Sequence, residues 1–174
     1  RLSIFASAAN TDRDSYYGPG NDPLKAYGKT TDLTAMGGAQ YVHTFDKCFF
    51  MPSDLTAGLE YNRDRLKDNM WGYDRHTDQT VNIYSAFLQN EWKNDRWGIL
   101  IGGRLDKHNM VDNVIFSPRA NLRFNPTQNI NLRLSYSSGF RAPQAFDEDM
   151  HIENVGGTVA MIERAKNLKE EKSQ

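Results

Sequence analysis

Apolar and polar residues alternate strictly along two neighbouring segments in the second half of the chain. Between residues 130 and 136 the even positions are apolar and the odd positions are polar, and residues 116–124 repeat the pattern. A period of two is typical of a β-strand with one apolar face. The turn-forming residues 125–129 between the two segments predict a hairpin. One face of this hairpin is predicted to carry Phe116, Ala120, Leu122, Phe124, Leu132, Leu134 and Tyr136, and the other Arg119, Asn121, Arg123, Arg133 and Ser135.

Weaker alternation earlier in the chain predicts five further strands, at residues 2–10, 33–45, 55–65, 81–92 and 97–106. Turns are expected near residues 47–52, 94–95 and 126–127. Longer polar connections are expected at 11–31, 67–78, 106–113 and from 141 onward. The helix-like stretch 159–172 has no sustained apolar stripe and is predicted as a loop or a short helix. The predicted fold is therefore all-β, an antiparallel meander of about seven long strands.

The charge balance and hydropathy narrow the class of protein. The 21 lysine and arginine residues nearly equal the 22 aspartate and glutamate residues, which argues against a nucleic-acid-binding protein. The mean hydropathy is −0.70, and no stretch approaches the roughly 18 apolar residues of a membrane helix. Strands of a membrane barrel alternate lipid-facing and lumen-facing residues, which dilutes their average hydropathy. A membrane β-barrel therefore remains compatible with this composition.

The layout of the predicted connections favours such a barrel. Short turns at one edge and long polar loops at the other are typical of outer-membrane barrels. Several predicted strands are also as long as a membrane-spanning strand, which needs about nine to eleven residues. Aromatic residues lie near strand ends, where they would form interfacial girdles; they are Tyr41, Phe45, Trp92, Trp97, Phe124, Tyr136 and Phe140. A soluble antiparallel sheet with a solvated polar face shows the same alternation, so this alternative stays open.

Two groups of side chains are candidates for function. Aromatic and basic residues in the long loops suit the binding of an organic ligand, although packing of the loops or girdles explains them equally well. These residues are Tyr16, Tyr17, Trp71, Tyr73, Arg75 and His76. Arginines on the polar side of the strands, or just beyond them, are expected to face a barrel lumen. These residues are Arg104, Arg119, Arg123, Arg133 and Arg141.

Catalytic and metal-binding patterns are weak. The four histidines fall on different segments, and no nucleophile-elbow or zinc-protease motif is present, so we expect no enzyme. No cofactor is expected either. Five residues of one loop, Asp147, Glu148, Asp149, His151 and Glu153, would suit a divalent metal chemically. Their spacing fits no calcium-loop motif, and a solvated loop is the simpler interpretation.

The end of the chain carries a resemblance to a known family. From Leu132 it reads LRLSYSSGFRAPQAFDEDMHIENVGG, and it closes with NLKEEKSQ. The stretches 136–143 and 167–173 resemble the "Y-S-x-G-F-R-A-P" and "N-L-x-P-E-K-S" segments of TonB-dependent outer-membrane receptors. Glu170 stands where that family usually has proline. The resemblance is good over residues 55–174 and poor over the first fifty.

The resemblance implies a barrel of about 22 strands closed by a plug domain, with energy supplied by the TonB complex through the plug. It also implies that the arginines on the polar side face the lumen or the plug. The cargo would be a scarce small-molecule nutrient of the iron–siderophore or cobalamin class, and the barrel would lie in outer-membrane lipid. The chain begins within strand-like sequence and carries no signal-peptide pattern. We therefore expect residues 1–174 to be part of the barrel, without the plug and the remaining strands.

Three other functions remain open on the residues alone. A passive porin or an adhesin would share the barrel but have no plug. An enzyme of the outer membrane would need a catalytic constellation, which the motifs do not provide. A soluble β-rich ligand-binding module would show the same alternation of residues. Cargo identity cannot be deduced from these patterns, because cargo contacts lie largely in loops and in the plug.

Overall fold

Seven long antiparallel strands form one sheet in the order of the sequence. The computed structural model describes residues 1–16, 27–145, 153–155, 158–160 and 169–174. The strands are β1 (Leu2–Tyr16), β2 (Tyr27–Cys48), β3 (Met51–Met70), β4 (Arg75–Lys93), β5 (Trp97–His108), β6 (Ile115–Thr127) and β7 (Ile130–Ser137). Each pairs only with its neighbours in the chain, which confirms the predicted all-β meander.

Four short strands follow the meander in the described part of the chain. β8 (Gly139–Arg141) pairs with β11 (Glu171–Ser173), and β9 (Glu153–Val155) pairs with β10 (Thr158–Ala160). The segment 159–172, predicted as a loop or short helix, thus has strand residues at both ends, while residues 161–168 lie outside the described part. The one helix among the described residues is the three-residue 3-10 turn Trp71–Tyr73. No helix in the described part is long and apolar enough to cross a membrane.

The register of the last hairpin confirms the two predicted sets of residues. Leu122 pairs with Leu134, and Arg123 pairs with Arg133. Directly paired residues of antiparallel strands point to the same face. The apolar set therefore shares one face and the arginine set the other, as the period of two requires.

The strands are longer than the sequence predicts, and one predicted loop is wrong. The segment 67–78 was expected to be a long connection, but β3 and β4 run through it and leave only residues 71–74 between them. Its alternation was hidden because a charged residue occupies a buried position. Leu66, Asp68 and Met70 are buried and alternate with exposed or partly exposed polar residues. Similarly, β1 extends to Tyr16, and β2 begins at Tyr27.

Two of the three predicted turns lie where expected. β2 and β3 are joined at residues 49–50, where Phe49 adopts a positive φ of 63°, and β4 and β5 are joined at residues 94–96. The third was expected at residues 126–127 but lies at 128–129, because Thr127 still pairs with Ile130. Pro126 falls in the irregular pairing just before it, where a residue without an N–H is tolerated.

The two faces of the sheet differ in chemistry. We call one the apolar face; it exposes large aliphatic side chains such as Leu59 (65% exposed), Leu88 (55%) and Leu134 (69%). The other, the polar face, carries Glu60, Ser85 and the predicted strand arginines. Toward the end with the long connections, residues of the polar face become buried, among them Leu66, Met70 and Val81. A small apolar cluster of Val111, Ile115 and Ala142, packed with Phe140, lies at the same end. Phe140 therefore belongs to this cluster and not to the expected girdle.

Candidate functional site

An aromatic cluster forms where β1, β2 and the β3–β4 turn meet. Tyr16 pairs with Tyr27 across the strands, and the Tyr27 ring stacks on Trp71 at a centroid distance of 5.5 Å and an angle of 9°. Tyr16 and Trp71 are each about half exposed. A hydrogen bond to Asp14 raises the pKa of the Tyr27 hydroxyl. Residues assigned to separate loops by the sequence thus lie side by side; we call this group the tip cluster.

The other predicted ligand-binding residues divide between the two sides of the β3–β4 hairpin. The Arg75 guanidinium donates two hydrogen bonds to Asp68, at 2.9 and 3.2 Å. Asp68 also accepts one from the Thr30 hydroxyl at 2.7 Å, and only 1% of it is exposed. Arg75 is therefore held in a buried ion pair on the polar face. An unpaired buried carboxylate is costly, so this pair has a structural role.

His76 and Tyr73 stay nearer the solvent. His76 contacts the Asn69 side-chain oxygen at 2.9 Å and Asp74 at 3.5 Å, and it is exposed. Tyr73 is partly exposed within the 3-10 turn. Tyr17 lies outside the described residues. The geometry therefore places Tyr16 and Trp71 on either side of Tyr27 and leaves His76 and Tyr73 close to the same hairpin end. Arg75 lies on the opposite face of the hairpin.

A charged network crosses three strands on the polar face. Arg104 on β5 contacts Glu60 on β3 at 2.6 Å and Asp106 at 2.8 Å. Ser85 on β4 donates to the same Asp106 carboxylate at 2.6 Å. Cross-strand pairing of Glu60 with Ser85 and of Ser85 with Asp106 places these groups in one row. Two carboxylates therefore pair with Arg104, and the row joins three adjacent strands.

The remaining predicted arginines differ in their surroundings. Arg119 is exposed, whereas Arg123 donates to the backbone oxygens of Asn94 and Trp97, and Arg133 donates to Asn131. Arg104 and Arg119 line a concavity of 610 Å³ that also includes Gln40, Gln89 and Asn121. The fifth, Arg141, lies on β8, outside the seven-stranded sheet. Four of the five arginines thus share the polar face.

The segment after β7 folds back onto the polar face. The Gln79 side chain donates to the Ala145 carbonyl at 3.3 Å and accepts from the Ala145 N–H at 2.8 Å. Nearby, the fully buried His108 accepts a hydrogen bond from the Met110 N–H at Nδ1, which leaves Nε2 to donate to Gln144 Oε1 at 3.1 Å. These contacts fix residues 142–145, which begin within the stretch 136–143 and continue just beyond it, against β4 and β5.

Two carboxyl groups meet on the polar face near the long-connection end. Asp64 on β3 lies beside Asp32 on β2, and burial together with the neighbouring Asp32 charge raises the pKa of Asp64 to about 6. Asp64 lies beyond Tyr61, where β3 also carries Arg63, Arg65 and Lys67 on its other face. That part of β3 is too charged to lie in hydrocarbon. The pair therefore belongs to the ends of β2 and β3 nearest the long connections, which we call the extension of the sheet.

No cluster of three or more metal-ligating side chains occurs among the described residues. Of the five acidic-loop residues predicted as a conceivable metal site, Asp147, Glu148, Asp149 and His151 lie outside the described part. Glu153 begins β9, and its side chain is likewise not described. The metal hypothesis therefore stays as the sequence left it.

Sequence reasoning missed Gln79, His108 and Gln144, which hold the folded-back segment. No signal in the sequence identifies them, because their contacts join residues 36 and 66 positions apart. The Arg104 network had a usable signal. Glu60, Ser85, Arg104 and Asp106 all fall on the polar positions of their strands.

Comparison with protein families gives one match. The family model described as "TonB dependent receptor-like, beta-barrel" covers residues 2–174. Comparisons with curated proteins and with solved structures gave no match. The family model spans nearly the whole chain, and the chain's seven-stranded meander has one apolar and one polar face, as the wall of a membrane barrel does. The chain therefore belongs to the TonB-dependent receptor-like β-barrel family, whose members are transport receptors of the bacterial outer membrane.

Proposed function

We propose that the seven-stranded sheet is one arc of a closed barrel of about 22 strands, with the apolar face toward lipid and the polar face toward the lumen and a plug domain. The observation that carries this proposal is the contrast between the faces. Exposed leucines on the apolar face need an apolar surrounding. The Arg104 network on the polar face suits a wet or plugged interior, where opposite charges pair.

Two substitutions at adjacent positions of β7 test this orientation. Leu134→Arg places a charge on the proposed lipid face, which costs about 2–4 kcal/mol near the membrane midplane. Arg133→Leu changes the proposed lumen face, where insertion tolerates the loss of charge. We expect the complete receptor carrying Leu134→Arg to fold poorly into the outer membrane, and the one carrying Arg133→Leu to fold normally.

Heat-modifiable gel mobility measures folding of both variants directly. The two substitutions lie at adjacent positions of β7, so a general disruption of the strand would affect both variants alike. Normal insertion of Leu134→Arg together with failed insertion of Arg133→Leu would invert the assignment of faces. With the faces inverted, Arg104, Arg119 and Arg123 would no longer be assigned to the lumen.

We further propose that the receptor imports a scarce nutrient of the iron–siderophore or cobalamin class with TonB-derived energy. The tip cluster is our candidate for part of the ligand-binding surface, with Tyr17, Tyr73 and His76 nearby. Stacked aromatic rings offer a rigid contact area to organic ligands. Arg75 supports that surface indirectly, because its ion pair with Asp68 stabilises the β3–β4 hairpin on the polar face.

Binding and uptake assays with ferric hydroxamate, ferric catecholate and cobalamin test the cargo class. For the cargo that binds, we expect Trp71→Ala to weaken binding roughly tenfold, the usual scale for a buried aromatic contact. Trp71→Phe keeps an aromatic ring and serves as the matched control. Uptake that continues without TonB would instead indicate a passive porin, and unchanged binding by Trp71→Ala would remove the tip cluster from the ligand site.

A further inference from the structure

Two arginines stand directly opposite each other on the polar face, toward the end with the short turns. Arg123 on β6 pairs with Arg133 on β7. The Cα atoms of directly paired residues lie about 4.5–5.5 Å apart, and their side chains point to the same face. Like charges in such a pair repel each other and destabilise the sheet. We call Arg123 and Arg133 the arginine pair.

The arginine pair has no anionic partner among the described residues. Arg123 Nη2 donates to the backbone oxygens of Asn94 and Trp97 at 3.1 and 3.5 Å. Arg133 Nε donates to the side-chain oxygen of Asn131 at 2.7 Å. All three acceptors are neutral oxygens, so they position the two guanidinium groups without offsetting their charge. Each guanidinium also keeps N–H donors that no described acceptor uses.

The charged residues near the arginine pair do not cancel it. Lys93 and Gly98 continue the same row of the sheet, and Lys93 forms an ion pair with Asp54 at 2.6 Å. Glu91 lies in the adjacent row on β4, two strands from Arg123, which is roughly 10 Å. A Cβ atom at Gly98 would lie 3.2 Å from Arg123 Nε, so the glycine leaves room for the guanidinium. The positive charge of the pair therefore remains uncompensated at this place.

Two neutral side chains complete a group around the arginine pair. Asn121 and Ser135 pair directly in the next row and point to the same face as the arginines. They add an amide and a hydroxyl, which both can donate hydrogen bonds. The four side chains line a concavity of 430 Å³ on the polar face. That volume lies within the range of sites for small molecules, which is about 300–1,000 Å³.

We propose that Asn121, Arg123, Arg133 and Ser135 bind the phosphate group of a small molecule in the lumen. The planar fork of an arginine bonds two phosphate oxygens at once, so two forks grip one phosphate from two sides. A phosphate group carries nearly two negative charges at neutral pH, which matches the two cations. Chloride has a single charge and no set of separate oxygen acceptors, so it replaces phosphate poorly. The inference rests on the proposed lumen-facing side, because the site needs access to water.

The test measures binding of inorganic phosphate to the complete receptor in micelles by isothermal titration calorimetry. Sodium chloride at about 0.15 M screens unspecific attraction to surface charges. We expect saturable binding by the wild-type receptor. Arg123→Gln combined with Arg133→Gln should weaken it at least tenfold, because the charge-assisted hydrogen bonds are lost. Ser135→Ala removes one neutral hydrogen bond and should weaken it roughly threefold.

Arg63→Gln combined with Arg65→Gln is the matched control, since it removes two charges from the other face of the sheet. This control should bind phosphate like the wild-type receptor, and gel mobility confirms that each variant is folded. Lack of saturable binding by the wild-type receptor overturns the proposal without any variant; a plug carboxylate seated between the two arginines would give that result. Equal affinity of the wild-type receptor and the Arg123→Gln, Arg133→Gln variant overturns it as well.

The insertion test of the two faces reports separately on the proposed function. If Leu134→Arg fails to insert and Arg133→Leu inserts, absent phosphate binding refutes only the site at the arginine pair. If the insertion results are the reverse, the arginine pair faces lipid, and the site is refuted together with the assignment of the faces.

Discussion

The Asp32–Asp64 pair makes the extension of the sheet sensitive to pH. Two carboxyl groups that share a partly buried site cannot both be charged without repulsion, and the pKa of Asp64 rises to about 6. Folding therefore favours the protonated form of Asp64. Its contribution to stability is complete below the unfolded pKa of about 3.9 and is lost as the pH rises through about 6.

Asp64→Asn should remove this pH dependence, because an amide can donate to Asp32 at every pH. We expect the variant to stabilise the β2–β3 extension at pH 8 by on the order of 1 kcal/mol, after allowance for solvent screening, and to have little effect at pH 4. Hydrogen exchange of the β2 and β3 amides at both pH values measures this. Asp95→Asn, in an exposed turn, is the control. Equal effects at pH 4 and pH 8 would contradict the shared-proton explanation.

At the scale of elements, side chains of the sheet bind the backbone and side chains of the folded-back segment. Gln79 satisfies both the N–H and the carbonyl of Ala145, and His108 holds the preceding Gln144. Each such hydrogen bond contributes about 1 kcal/mol. Together with the apolar cluster around Ala142, these side chains hold the segment against the sheet without a ladder of strand pairing.

Gln79→Leu should release residues 142–145 while leaving the sheet intact. We expect hydrogen exchange in this segment to accelerate roughly tenfold or more, since two hydrogen bonds are lost. Exchange within β3 and β4 should stay unchanged. Thr80→Val, at the next position on the other face of β4, is the control. A segment that remains protected in Gln79→Leu would show that the apolar cluster around Ala142 suffices to hold it.

An element can be predicted from the sequence where its buried positions hold apolar residues and its exposed positions hold polar ones. The β6–β7 hairpin was predictable in register and facing, because Leu122, Leu134, Arg123 and Arg133 follow the period of two without exception. The outer part of the β3–β4 hairpin, at residues 67–78, was not, because Asp68 occupies a buried position that usually holds an apolar residue. Its partner Arg75 comes from the other strand of the hairpin and satisfies it. The tip cluster and the folded-back segment depend on contacts between distant residues, which no local pattern encodes.

For the whole molecule, the edges of the sheet matter most. Among the described strands, β1 and β7 each have a neighbouring long strand on one side only. Their other edges carry backbone N–H and carbonyl groups that a closed barrel would pair. The apolar face adds exposed leucines along the length of the sheet.

The isolated 174-residue chain should therefore not behave as a monomer in plain buffer. We expect association or aggregation without detergent, and a smaller, defined species in micelles, because open edges and an apolar face recruit partners. Size-exclusion chromatography with light scattering measures both conditions. A monodisperse monomer in buffer alone would argue against the lipid-facing assignment.

The length of β3 also separates the tip cluster from the charged network. Trp71 lies 13 residues beyond Gly58, which is level with Phe87 and Arg104 in the ladder. That spacing is roughly 40 Å along the strand, far more than a small nutrient can span. On the proposed assignment, cargo that rests on Trp71 must leave it before it meets Arg104. Recognition and translocation are then two successive steps. A substitution in the tip cluster changes how often cargo is captured, and it leaves the rate of the later translocation step unchanged.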